Sequence, residues 1–161
     1  MATKTDFTPD EWKLLLESVM TSGIAVTAAE PSGLWGTLKE SFASAQTMAS
    51  GKGAPSELIK AMVADLGTSE GRGVARDGLR EKLKGSKAAD IKARSIEGLR
   101  QASALLDAKA PQDAAAVKGW LRQISLNVAE AASEGGFMGF GGVPVSDAEK
   151  ATLAEIDAAL T

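Results

Sequence analysis

Neither cysteine nor histidine occurs anywhere in this chain. The first absence excludes disulfides, thiolate zinc sites and a cysteine nucleophile. The second removes the side chain that most often serves as general base or transition-metal ligand. Carboxylates are what remain for acid/base or metal chemistry, so any bound metal is expected to be a hard cation held by oxygen. Long apolar runs are missing as well: no stretch approaches the ~20 residues needed to cross a bilayer. The N-terminal MATKTDFTPDEW lacks the basic-then-apolar pattern of a signal peptide, and the expected compartment is the cytoplasm. Strand-like runs of alternating β-branched residues are absent, and no aromatic lies from Ala43 to Gly119.

What is present reads as helix. The 161 residues, 44% of them apolar, suffice for one domain with a sizeable core. Apolar positions recur at helical spacing and alanine is abundant, which predicts an all-α, single-domain bundle of about six or seven helices. Thr8, Pro9 and Glu11 mark the entrance of the first helix as cap, first residue and capping-box partner, with Phe7 placed to staple against Trp12. Trp12, Leu15, Leu16, Val19, Gly23 and Val26 form its inner stripe, and Glu30-Pro31 ends it near Ala29. Further helices are expected at about 37–49, 56–66, 74–84, 86–108 and 111–133, the last with Val117, Trp120, Leu121, Ile124 and Val128 facing inward. Gly67 is expected as a left-handed residue after the third helix, 67–78 as a mobile connector or frayed helix start, and Gly85 as a separator. Ser146 and Glu149 form a second capping box before a closing helix that carries Leu153, Ile156 and Leu160.

Two glycine and aromatic corners interrupt this pattern: Ser32-Gly33-Leu34-Trp35-Gly36, and Gly135-Gly136-Phe137-Met138-Gly139-Phe140-Gly141-Gly142. Each follows a long helix with an early tryptophan, Trp12 or Trp120, and an acidic residue, Glu30 or Glu134. The parallel suggests an internal pseudo-repeat of helical hairpins. Phe137 and Phe140, with Trp35, are candidates for membrane or partner contact. The nearest charges to the C-terminal loop, Glu134 and Asp147, are acidic, which favours an architectural plug between helix ends over a lipid-facing tip.

Charge divides into three zones. Residues 1–71 carry 5 basic and 9 acidic side chains, 72–100 carry 9 and 4, and 101–161 carry 4 and 8. The basic centre comprises Arg72, Arg76, Arg80, Lys82, Lys84, Lys87, Lys92, Arg94 and Arg100, of which Arg72, Arg76 and Arg80 are the leading candidates for partner contact. It suits an anionic partner, a membrane surface, or the acidic wings of its own fold or of another copy. Nucleic acid is disfavoured because no aromatic interleaves these cations for stacking. Gly71-Arg72-Gly73 lacks the preceding strand and following lysine of a phosphate loop.

Two stretches resemble the tellurite-resistance TerB-like family of compact, all-helical bacterial proteins. Ile24-Ala25-Val26-Thr27-Ala28-Ala29-Glu30-Pro31-Ser32-Gly33 is similar to the family's alanine-rich helix leading into an acidic glycine turn. Val145-Ser146-Asp147-Ala148-Glu149-Lys150, followed by Leu153 to Leu160, is similar to its acidic restart and closing helix. Together they cover about a quarter of the chain. The resemblance implies a non-enzymatic, stress-response interaction protein or a weak divalent-cation module. Glu30 and Glu149 would be its metal-ligand positions, with Glu40 and Glu134 as neighbours. Two carboxylates supply fewer than the roughly 6 oxygens a calcium ion takes, so carbonyls or water would complete the set. No catalytic residue and no organic cofactor is expected.

Overall fold

Thr8 opens the first helix as its sequence signals require. In the computed structural model, which describes residues 1–29, 54–134 and 145–161, α1 runs Pro9–Ala28 behind a short 3-10 turn at Lys4–Asp6. The Glu11 amide donates to Thr8 Oγ1 and the Thr8 amide donates to Glu11 Oε2, which closes the capping box. Phe7 packs on Trp12 with ring centroids 6.0 Å apart. Five helices follow: α2 (Glu57–Leu66), α3 (Ser69–Leu83), α4 (Ala88–Lys109), α5 (Pro111–Glu134) and α6 (Asp147–Ala159). Among the described residues there is no strand, and the protein is all-α. The expected helix at 37–49 lies outside the described residues.

One hydrophobic core draws on every helix, and α1 runs through its middle. This helix packs against α3, α4, α5 and α6, with a lighter contact to α2. The expected stripe is buried, but so are Glu17, Ser18, Thr21, Ser22, Ala25, Thr27 and Ala28 on its other sides. A helix covered over most of its circumference must satisfy its buried polar side chains internally. Ser18, Thr21, Ser22 and Thr27 do so by donating to carbonyls three or four residues back, at 2.6–3.1 Å. Ser125 of α5 donates across to the Ser22 carbonyl at 2.8 Å, tying α5 to this centre. Leu15 and Leu16, fully or almost fully buried, each contribute about 1.5–3 kcal/mol of apolar burial.

Of the two readings of 67–78, a mobile connector or a helix start, the structure gives the helix start. Gly67 has φ −68° and stays right-handed, and Thr68 at once caps α3, its Oγ1 accepting from the Gly71 amide at 3.0 Å. α3 therefore begins at Ser69, five residues before Val74. Gly71 and Gly78 are contact points, while Gly73 faces open space: a Cβ on Gly71 would lie 2.1 Å from the Asp65 carbonyl oxygen. Gly85 does separate α3 from α4, and its φ of 72° is a left-handed conformation that side chains other than glycine's disfavour.

Both turns of the pseudo-repeat fall outside the described residues, while its two tryptophans have unlike surroundings. Trp12 Nε1 donates to Asp65 Oδ2 at 2.7 Å, whereas the buried Trp120 Nε1 has no hydrogen-bond partner among the described residues.

Candidate functional site

The basic centre of the sequence is distributed over α3, α4 and the turn between them, and much of it is committed to the fold. Arg72 bends back to donate from Nη1 to the carbonyls of Leu66 (3.2 Å) and Gly67 (2.8 Å), closing the C-terminus of α2. Lys82 pairs with Glu17, Lys92 with Glu155 at 3.0 Å, and Arg100 with Glu97 at 2.5 Å. Arg94 donates to the Lys82 carbonyl at 2.6 Å. Arg76 meets its neighbour Asp77 at 3.4 Å, an exposed pair of little energetic weight.

Arg80, Lys84 and Lys87 stand apart. All three are exposed, and among the described residues none makes an ion pair. Helix electrostatics accounts for Arg80, since a cation near the C-terminus of α3 meets the negative end of the helix dipole. Lys87 has the opposite situation. It occupies the N-cap of α4 with φ −79° and ψ 166°, where its side chain makes no capping bond. An ammonium has no acceptor for the free amides there, and its charge faces the positive end of the dipole. The fold would be better served at this position by serine, threonine, aspartate or asparagine.

Beside this corner lies a cleft of about 300 Å³ between α1, α3 and α4. Leu14, Leu79 and Leu83 supply apolar wall, and Lys82 and Arg94 stand among its lining residues. Its polar lining includes Glu17 and Ser95, 2% and 1% exposed. Glu17 Oε2 accepts from Lys82 Nζ, but among the described residues Glu17 Oε1 and Ser95 Oγ have no hydrogen-bond partner. Room for the carboxylate depends on Gly78 of α3, where a Cβ would lie 2.0 Å from Glu17 Oε1. Sequence reasoning missed this cleft. A signal existed in Glu17 and Ser18, polar residues set between Leu16 and Val19 of an otherwise apolar run.

Other expected site residues are not brought to this place. Glu149 is 4% exposed and serves α6: its carboxylate accepts from the Ser146 amide at 3.0 Å, and its own amide donates to Ser146 Oγ at 3.1 Å. Among the described residues no three acidic side chains converge to hold a cation. Glu30, Trp35, Glu40, Phe137 and Phe140 lie outside the described residues, and Glu134 is the last residue of α5.

The carboxylate with the best-defined surroundings is Asp65, at the edge of the core. Partial burial pushes its pKa up, and hydrogen bonds from Lys4 and Trp12 together with the Lys4 charge outweigh that, leaving the carboxyl below its ordinary value. Glu11 is also lowered, by its hydrogen bond from Lys109 and by the Thr8 amide.

Comparison with protein families, curated proteins and solved structures finds no match to this chain. The TerB-like resemblance accordingly rests on the two stretches quoted above. No helix among the described residues is long and apolar enough to cross a membrane.

Proposed function

We propose that this chain is a non-enzymatic helical interaction module that docks an acidic protein segment on the α3–α4 corner. We place it in the cytoplasmic, stress-response setting that the TerB-like resemblance implies. The observation that carries the reading is the trio Arg80, Lys84 and Lys87, exposed and without carboxylate partners among the described residues while most neighbouring cations are committed internally. Unpaired cations at one corner attract an acidic partner and speed its association, an effect that salt screens. An acidic protein segment suits this corner better than RNA, for which stacking aromatics are missing from the entire central region. It also suits it better than a bilayer, since Val74 is the one exposed large apolar side chain on α3 among the described residues.

Fluorescence anisotropy with labelled poly-L-glutamate tests the reading, with anionic vesicles and single-stranded RNA as parallel probes. The expected result is low-salt binding to poly-L-glutamate that is lost at high salt and in the Arg80→Glu, Lys84→Glu, Lys87→Glu triple variant. Equal binding by the triple variant, or a preference for vesicles or RNA, overturns it.

Divalent-cation binding through Glu30 and Glu149 belongs to the same resemblance. A cation there would share the Glu149 carboxylate with the helix cap, since Glu149 Oε2 already accepts from the Ser146 amide. Melting curves with calcium, magnesium or manganese test it, and unchanged curves remove it.

A further inference from the structure

We propose that the cleft between α1, α3 and α4 binds a small aliphatic primary amine, with Glu17 as counter-ion and Ser95 as a second hydrogen-bonding partner. This goes beyond docking of an acidic partner at the adjoining corner and stands on different atoms.

Buried polar atoms without partners are rare in folded proteins because each forfeits the hydrogen bonds it had in water. Five such side-chain atoms occur among the described residues, and two of them, Glu17 Oε1 and Ser95 Oγ, belong to residues that line this one cleft. The volume of about 300 Å³ lies at the small end of ligand pockets.

The donor and acceptor inventory selects the ligand. Glu17 Oε1, as a carboxylate oxygen, can only accept. Ser18 and Thr21, also in the lining, already donate their hydroxyl protons to the carbonyls of Leu15 and Glu17, so their oxygens offer lone pairs alone. Ser95 can donate or accept. The α1 side of the cleft is therefore a set of acceptors, which disfavours an anion and suits an ammonium, whose three N–H groups can serve several of them at once. Leu14, Leu79 and Leu83 give the hydrocarbon body an apolar wall.

Lys82 is this chain's own occupant of the counter-ion position. Its side chain is 49% exposed, so its ammonium can move to water when a ligand ammonium replaces it at Glu17. If the ligand also carries a carboxylate, Lys82 and Arg94 are placed to meet it. A free alkylamine and an amino acid share the ammonium chemistry and differ there.

Amide chemical shifts of the folded chain can be followed during titration with n-butylamine, norleucine and butyrate. The expected result is saturable shifts at Ser95 and Gly98 with butylamine and none with butyrate. Norleucine binding more tightly than butylamine assigns the site to amino acids, and the reverse order assigns it to simple amines. Glu17→Gln should weaken butylamine by at least about tenfold, the loss that accompanies removal of a charged hydrogen-bonding partner. Lys82→Met should tighten it, because the internal competitor is gone, and butylamine should raise the melting temperature of that variant more than that of the parent. Butyrate binding as well as butylamine, absence of shifts at saturating amine, or no tightening in Lys82→Met overturns the proposal.

Discussion

Glu17, in the middle of the central helix, is buried and ion-paired through Oε2 with the half-exposed Lys82 of α3, while its Oε1 has no partner among the described residues. Gly78, one turn before Lys82 on α3, leaves the space that the carboxylate fills. The pair thus joins α1 to α3 at the same place where it lines the cleft. Removing a partner from a buried charge costs more than the pair's net worth, because the remaining ion keeps its desolvation penalty.

Lys82→Ala should therefore destabilise the protein by about 1–3 kcal/mol, a range set below that of fully buried pairs because Lys82 is half exposed. In a Glu17→Gln background the same change should cost less than about 0.5 kcal/mol, as for ordinary surface substitutions. Urea unfolding of the four proteins in this cycle measures the coupling. Equal costs in both backgrounds would show that the pair carries no stability.

The helical glycines separate into two kinds. At Gly71 a Cβ would meet the Asp65 carbonyl oxygen at 2.1 Å, and backbone cannot swing aside as a side-chain end can, whereas at Gly119 nothing lies within 4 Å. Gly71→Ala should destabilise by about 1–3 kcal/mol through overpacking. Gly119→Ala should stabilise by about 0.5–1 kcal/mol through helix propensity. Thermal or urea unfolding checks both signs, and a stabilising Gly71→Ala would contradict the close approach of α3 to the end of α2.

The acid limb of stability should report Asp65. Its carboxyl lies below the ordinary value of 3.8 in the folded state, so the unfolded chain takes up the proton first as pH falls. The stabilisation is complete well above 3.8 and is lost as pH drops through and below it. The parent should melt above Asp65→Asn at neutral pH, and the gap should close in acid. A gap independent of pH would mean that the bonds from Lys4 and Trp12 do not depend on the charge.

Much of this fold was legible because helix ends carry local chemistry. Thr8 with Glu11 and Ser146 with Glu149 announce their helices, and Gly85 its turn, through groups only a few residues apart. The start of α3 was misplaced because glycine near a helix start reads as flexibility, whereas Gly71 is there for contact with a carbonyl from the preceding helix. The central position of α1 was hidden for a related reason. Its hydroxyl side chains satisfy themselves on their own carbonyls, so a helix buried over most of its surface carries a polar-looking face. The cleft was illegible since it depends on Glu17, Ser95 and Lys82 meeting from three helices, a relation that no spacing encodes. The basic segment was visible as charge, but which cations remain unpaired emerges only from the packing.

Lys87 provides the most direct test of the docking corner, because stability and binding should move in opposite directions there. Lys87→Ser would give α4 a hydroxyl N-cap and complete a capping box with Asp90, whose Oδ2 already accepts from the residue 87 amide at 3.4 Å. The cap should add about 1 kcal/mol, a rise of about 2–4 °C in melting temperature for a domain of this size. Measured on that variant, poly-L-glutamate affinity at low salt should fall while the melting temperature rises. A more stable variant that binds poly-L-glutamate as tightly as the parent would contradict the assignment of the α3–α4 corner as the docking surface.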